Sequence, residues 1–155
     1  MNYYTPVRVN SIPRLPNRTK IFISFNYKYD KHYRYLMKGW NANSSFKFIY
    51  DDRTPNEIQT DSVSRVKAVL TTKIKEASVV AVLIGSHANE LHPDWREIGH
   101  RNWQNFEVAK AKELNRKLVA IQINALYDYP EELLDAGAAR VYSFNQEDLI
   151  KAIRG

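Results

Sequence analysis

The chain has 155 residues, 44% hydrophobic and 26% charged, which fits one globular domain with a real core and excludes intrinsic disorder. It contains no cysteine, so disulfides, thiolate nucleophiles and thiolate-bound zinc are all excluded. The net charge of +6 raises the question of nucleic acid, yet Arg8, Arg14, Arg18 and Lys20 supply four of those charges within the first 20 residues, leaving a nearly balanced domain. Residues 1–19, with Pro6, Pro13 and Pro16 and no periodicity, read as an extended basic arm. The domain proper is expected over 20–155. No apolar run reaches the ~20 residues of a membrane span, and the first residues lack a signal-peptide core. A cytoplasmic protein is the expectation.

In chain order, Lys20 to Phe25 is a first strand, apolar and rich in β-type residues. Tyr29, Tyr33, Leu36, Met37 and Trp40 then fall on one helical stripe, leaving Lys28, Lys31 and Arg34 to solvent. Phe46 to Tyr50 is a second strand, ending in the polar loop Asp51-Asp52-Arg53-Thr54-Pro55. Val63, Val66, Leu70, Ile74 and Ala77 mark a second helix that starts near Asp61. Val79 to Ile84 is a continuous apolar run stopped by Gly85, as expected of a strand covered on both faces.

A long polar connection over 86–101, with room for one helical turn after Pro93, leads into a helix capped by Asn102 and ended near Asn115. On it Trp103, Glu107, Ala111 and Leu114 share one face. Three belong in a core, and the fourth is a carboxylate that must be paired, protonated or used. A stem lying along the stripe, with its head at the surface beside Lys110, accounts for the spacing equally well. Leu118 to Ile123 is a fourth strand, Pro130 to Gly137 a short helix, Val141 to Phe144 a fifth strand, and Asn145 caps a last helix.

Strands alternating with helices predict an α/β three-layer sandwich on a five-stranded parallel sheet, order 2-1-3-4-5, the flavodoxin-like arrangement. In that order strands one and three are neighbours whose connections leave in opposite directions, and ligands bind outside the strand ends at such a switch point. The loops there are Phe25-Asn26-Tyr27 and Gly85-Ser86-His87, with Asp51-Asp52-Arg53 beside them. A helix starting at this edge brings Trp103 and Glu107 to the same crevice.

Other constellations point less far. The run from Asn26 to Tyr35 interleaves aromatic and basic residues as single-strand nucleic-acid grooves do, but its tyrosines continue into a helix stripe, so nucleic acid is disfavoured. His87, His92, Asp94 and His100 lack paired metal-ligand spacing, and no metal is expected. Asp51 and Asp52 suggest a phosphoacceptor site, but strand three ends without the acid it needs. No phosphate-cradling glycine loop, nucleophile elbow or dinucleotide fingerprint is present.

Three segments in order carry a resemblance. Lys20-Ile-Phe-Ile-Ser-Phe-Asn-Tyr27, Val80-Ala-Val-Leu-Ile-Gly-Ser86, and Trp103-Gln-Asn-Phe-Glu107 followed by Lys117 to Asn124 resemble the TIR-like domain family. The match is nearest to the TIR-like proteins of bacterial Thoeris anti-phage systems, over residues 20 to 124. The resemblance implies a TIR-like fold and an enzyme that cleaves NAD at its nicotinamide–ribose bond. Such an enzyme acts as a glycohydrolase or an ADP-ribose cyclase, whose product signals to an effector. The family's glutamate in its tryptophan-x-x-tryptophan-glutamate motif falls on Glu107, its first tryptophan on Trp103, and Phe106 replaces the second. The implied substrate contacts are Phe25 and Asn26 at the nicotinamide ribose, Ser86 beside them, and Asp52 and Arg53 toward the rest of the dinucleotide. NAD is then substrate, with no resident cofactor, and a homo-oligomer is expected.

The residues suit that chemistry. Cleavage next to a cationic nicotinamide builds an oxocarbenium-like ribose, and the neutral leaving group needs no general acid, so one carboxylate suffices. Two alternatives stay open: a non-catalytic TIR-like interaction module using helix two, the 51–55 loop and the arm, and a nucleoside deoxyribosyltransferase-like enzyme acting on free nucleosides.

Overall fold

A computed structural model describes residues 19–40, 46–49 and 62–155. The expected arm, and Asp52 and Arg53, lie outside the described residues. The strands are β1 (Thr19–Ser24), β2 (Phe46–Ile49), β3 (Val79–Ile84), β4 (Lys117–Gln122) and β5 (Ala139–Val141). The helices are α1 (Tyr27–Trp40), α2 (Val63–Glu76), α3 (Trp95–Ile98), α4 (Trp103–Glu113) and α5 (Gln146–Arg154), with a 3-10 turn at Glu131–Leu133. The strands join in the order β2-β1-β3-β4-β5, and each pairing is parallel. Ser24, the last residue of β1, stands opposite Val82 in β3.

Alternation along β3 divides the core in two. Val80, Val82 and Ile84 face a cluster with Val66, Leu70 and Ile74 of α2 and Phe106 and Ala111 of α4. Val79, Ala81 and Leu83 face Met37 of α1 and Leu149, Ile150 and Ile153 of α5. Helices therefore cover both faces, which is why all six residues of β3 are buried and apolar. Removing this much apolar surface from water, at ~25 cal/mol per Å², is the main force holding the layers together. Among the described residues no helix is long and apolar enough to cross a membrane.

Several elements depart from the sequence expectations. Tyr29 and Leu36 were expected inside, yet they are 38% and 55% exposed, while the expected solvent residue Arg34 is buried. The inward line of α1 is Asp30, Arg34 and Met37, at i, i+4 and i+7, a helical face that apolar counting misses because two of its members are charged. The helix expected to start near residue 61 is α2, capped by Ser62, whose side chain accepts from Arg65 N–H. The helix expected over 130–137 is one 3-10 turn. The fifth strand is Ala139–Val141, earlier than expected, and Tyr142 beyond it is exposed. Ser143, two residues on, instead donates to Asp148 in the capped first turn of α5.

Candidate active site

The position of α4 is fixed by polar side chains at its start. Asn102 caps the helix, its oxygen accepting from Asn105 N–H at 2.9 Å, while its amide donates to the carbonyls of Ala88 and Glu90 at 2.9 Å each. Asn105, fully buried, donates to Asn89 Oδ1 and Asn102 Oδ1, and its own oxygen accepts from Glu132 N–H. Three asparagines thus tie the connection after β3, the first turn of α4 and the 3-10 turn into one network. Gln104 reaches across the sheet end, donating from Nε2 to Leu83 O at 3.0 Å and Ser24 O at 3.3 Å. Its amide spans the gap between the ends of β1 and β3.

One residue short of a turn beyond Gln104 lies Glu107. The residue is 6% exposed, and its carboxylate accepts a hydrogen bond from the Ser24 hydroxyl at 2.7 Å. Ser24 follows Phe22 on the β1 face that looks toward α4, so the apolar run Ile21 to Ile23 ends there in a hydroxyl. A head at the surface beside Lys110 is not what is observed: Lys110 pairs with Glu113 at 2.8 Å instead. The helix is buried on more than the expected stripe, since Gln104, Asn105, Phe106 and Val108 are also inside.

The other expected site residues gather unevenly. Trp103, partly buried, begins α4 and packs edge-on against Phe106 at 5.7 Å. Asn26 stands at the end of β1, but its side chain holds structure together. Its oxygen accepts from Lys28 N–H and Tyr29 N–H to open α1, and its amide donates to His87 O at 3.2 Å. Phe25 is half-buried on the α1 and α5 side and tilts against Tyr27 at 6.1 Å. Ser86, exposed, shares a 2.8 Å hydrogen bond with His87 Nδ1. The structure thus brings Asn26, Ser86 and Glu107 to the C-terminal ends of β1 and β3.

Sequence reading missed a second carboxyl at this edge. Asp30 is 4% exposed and lies over Gly85, where a Cβ would overlap its carboxylate. Its Oδ2 is buried with no hydrogen-bond partner among the described residues. Burial pushes its pKa above the ordinary carboxylate value, opposed in smaller measure by the imidazoles of His32 and His87. Next to it the Tyr29 and His87 rings stack at 3.4 Å and 7°. The signals available in the sequence were the serine ending an apolar strand and the glycine ending its neighbour.

The histidines make separate local contacts. His92 Nδ1 accepts from Asp94 N–H, and His100 lies 3.5 Å from Glu132. Among the described residues no three His, Asp or Glu side chains gather as a metal site.

One comparison with known proteins gives the type of domain. A family model described as the Thoeris protein ThsB, TIR-like domain, matches residues 22–128. No curated protein matches the chain. Among solved structures, a conserved protein from Enterococcus faecalis is similar at a TM-score of 0.53 and 13% identity, covering 89% of this chain and 98% of that one. At that identity the likeness speaks for the fold alone. A protein of unknown function from Vibrio parahaemolyticus aligns over 87% of this chain and 98% of its own, at 11% identity and a TM-score of 0.35.

Proposed function

Because the chain belongs to the Thoeris ThsB TIR-like domain family, we propose that it cleaves NAD at the nicotinamide–ribose bond and makes a nucleotide signal in bacterial anti-phage defence. The observation that carries this reading is the buried Glu107 carboxylate, hydrogen-bonded to Ser24 at the end of β1 beside β3. Ligands of parallel α/β sheets bind outside strand ends at such switch points.

In this mechanism the C–N bond to nicotinamide breaks, its electron pair neutralises the pyridinium nitrogen, and positive charge spreads over the ribose. Glu107, held by Ser24 and shielded from bulk water, stabilises that charge more strongly than an exposed carboxylate would. Trp103, at the start of the same helix, walls the pocket. Attack by water gives ADP-ribose, and attack by an internal hydroxyl gives a cyclic product. Asn26, Phe25 and Ser86 border the nicotinamide ribose, and Asp52 and Arg53 take the rest of the dinucleotide. Copies of the chain assemble for activity, and the product couples them to an effector in the cytoplasm.

The same Ser24 bond also suits a second reading, a buried tie in a non-catalytic interaction module. Glu107→Gln separates the two, since its side-chain oxygen still accepts from Ser24. NAD loss and nicotinamide release are followed with assembled wild type and variant. The catalytic reading expects turnover in the wild type and a fall of at least about a hundredfold in the variant. Equal consumption by the two proteins overturns it.

A further inference from the structure

Two buried oxygen atoms at the ends of β1 and β3 lack partners among the described residues: Oδ2 of Asp30 and Oε1 of Gln104. Leaving a buried polar group unsatisfied costs about 1–3 kcal/mol, so most such atoms in folded chains are paired. Gln104 is anchored by its amide to Ser24 O and Leu83 O, which leaves its oxygen unused at the β1–β3 junction. Asp30 approaches the same junction from α1, in the space that Gly85 leaves by having no Cβ. Two helices on opposite faces thus bring unfilled acceptors to one sheet edge, the edge that also carries Glu107.

We infer that Asp30 is a substrate-positioning residue whose Oδ2 accepts a hydrogen bond from an uncharged donor of the ligand, a ribose hydroxyl or a carboxamide N–H. This rests on the reading of the site as one for NAD, which carries both donors. A metal ion fits less well, because no cluster of acidic and histidine ligands forms here among the described residues. Burial raises the Asp30 pKa, and the imidazoles of His32 and His87 oppose this in smaller measure. The carboxyl is covered in this structure, so binding requires its cover to move, and the neighbouring Tyr29–His87 stack, with Tyr29 38% exposed, is the part of that cover nearest to solvent.

The test measures binding of the two uncleavable halves, nicotinamide and ADP-ribose, to the full chain by calorimetry or ligand-observed NMR. Asp30→Asn keeps the shape and replaces one acceptor with a donor. Its expected effect is about a tenfold loss of affinity for one half, the equivalent of one hydrogen bond, with no drop in Tm. Loss for nicotinamide assigns the carboxamide, and loss for ADP-ribose assigns a hydroxyl. If Asp30→Asn is poorly folded, Asp30→Ala, which leaves the Gly85 face open, is expected to show the same selective loss. Unchanged affinity for both halves, no binding of either half to the wild type at millimolar concentration, or an equal fall in both together with Tm, overturns the assignment. A protein that binds one half through Asp30 yet never consumes NAD refutes the cleavage reading and leaves the positioning role standing.

Discussion

The Ser24 hydroxyl donates to Glu107 Oε1 across 2.7 Å, linking the end of β1 to α4 over 83 residues of sequence. Both groups are buried, so the bond orders the carboxylate without the loss that water competition would bring. Ser24→Ala removes one donor and leaves the carboxylate inside. Stability is expected to fall by about 1–3 kcal/mol in denaturant titration, and NAD turnover by about tenfold or more. Unaltered turnover together with unaltered stability would show that the hydroxyl neither holds nor tunes Glu107.

Gly85 and Asp30 form a second testable pair. A Cβ at Gly85 would overlap the Asp30 carboxylate, so Gly85→Ala is expected to destabilise by about 1–3 kcal/mol, the usual range for overpacking. The cause is steric and specific to one neighbour. Adding Asp30→Ala to Gly85→Ala should therefore recover most of the loss, and a double-mutant cycle by thermal denaturation reads the coupling. Additive losses would mean that the glycine serves some other contact.

These two pairs mark where sequence reasoning succeeds and where it stops. Alternating strands and helices identified a parallel α/β sheet, and the cap at Asn102 put Glu107 one turn past Trp103 on α4. Asp30 escaped because its partner is an absence: nothing in a linear sequence says which helix approaches the glycine that ends β3. The inward face of α1 carries Asp30 and Arg34, so counting apolar residues selected Tyr29 and Leu36, which are exposed. Gln104 and Asn105 were missed for a related reason. They are buried because they hydrogen-bond the backbone and side chains of other segments, a role that apolar periodicity does not register.

The burial of Asp30 has a signature in pH. Its folded pKa lies above the ordinary value of 3.8, chiefly through desolvation. Below that value both states hold the proton and nothing is lost. As pH rises from about 4 the unfolded chain ionises first, so native stability declines through the window and the full cost remains above the folded pKa. Asp30→Asn abolishes this titration. The stability of the variant relative to wild type should therefore grow as pH rises from about 4 through the folded pKa and then level off. A difference that is flat across that range, measured by denaturant titration, would show that the carboxyl is not held away from water.

Asn105 offers the sharpest test of how α4 is aimed. It is 0% exposed and bonds Asn89, Asn102 and Glu132 N–H, so it joins three segments at one buried side chain. Asn105→Ala opens a small cavity and strands the Asn89 and Asn102 oxygens of one donor each, along with the Glu132 amide. With about 1 kcal/mol per lost bond and more for a buried group left unsatisfied, the expected destabilisation is about 3 kcal/mol. Because the network positions the first turn of α4 and not Glu107 itself, NAD affinity and turnover should weaken together as the helix start loosens. Amide hydrogen exchange gives the independent check: protection should fall at residues 103–106 and at Glu132 while the β3 and β4 amides keep theirs. Loss spread evenly over the whole sheet would mean that Asn105 supports the fold at large and has no particular hold on the helix that carries the carboxylate.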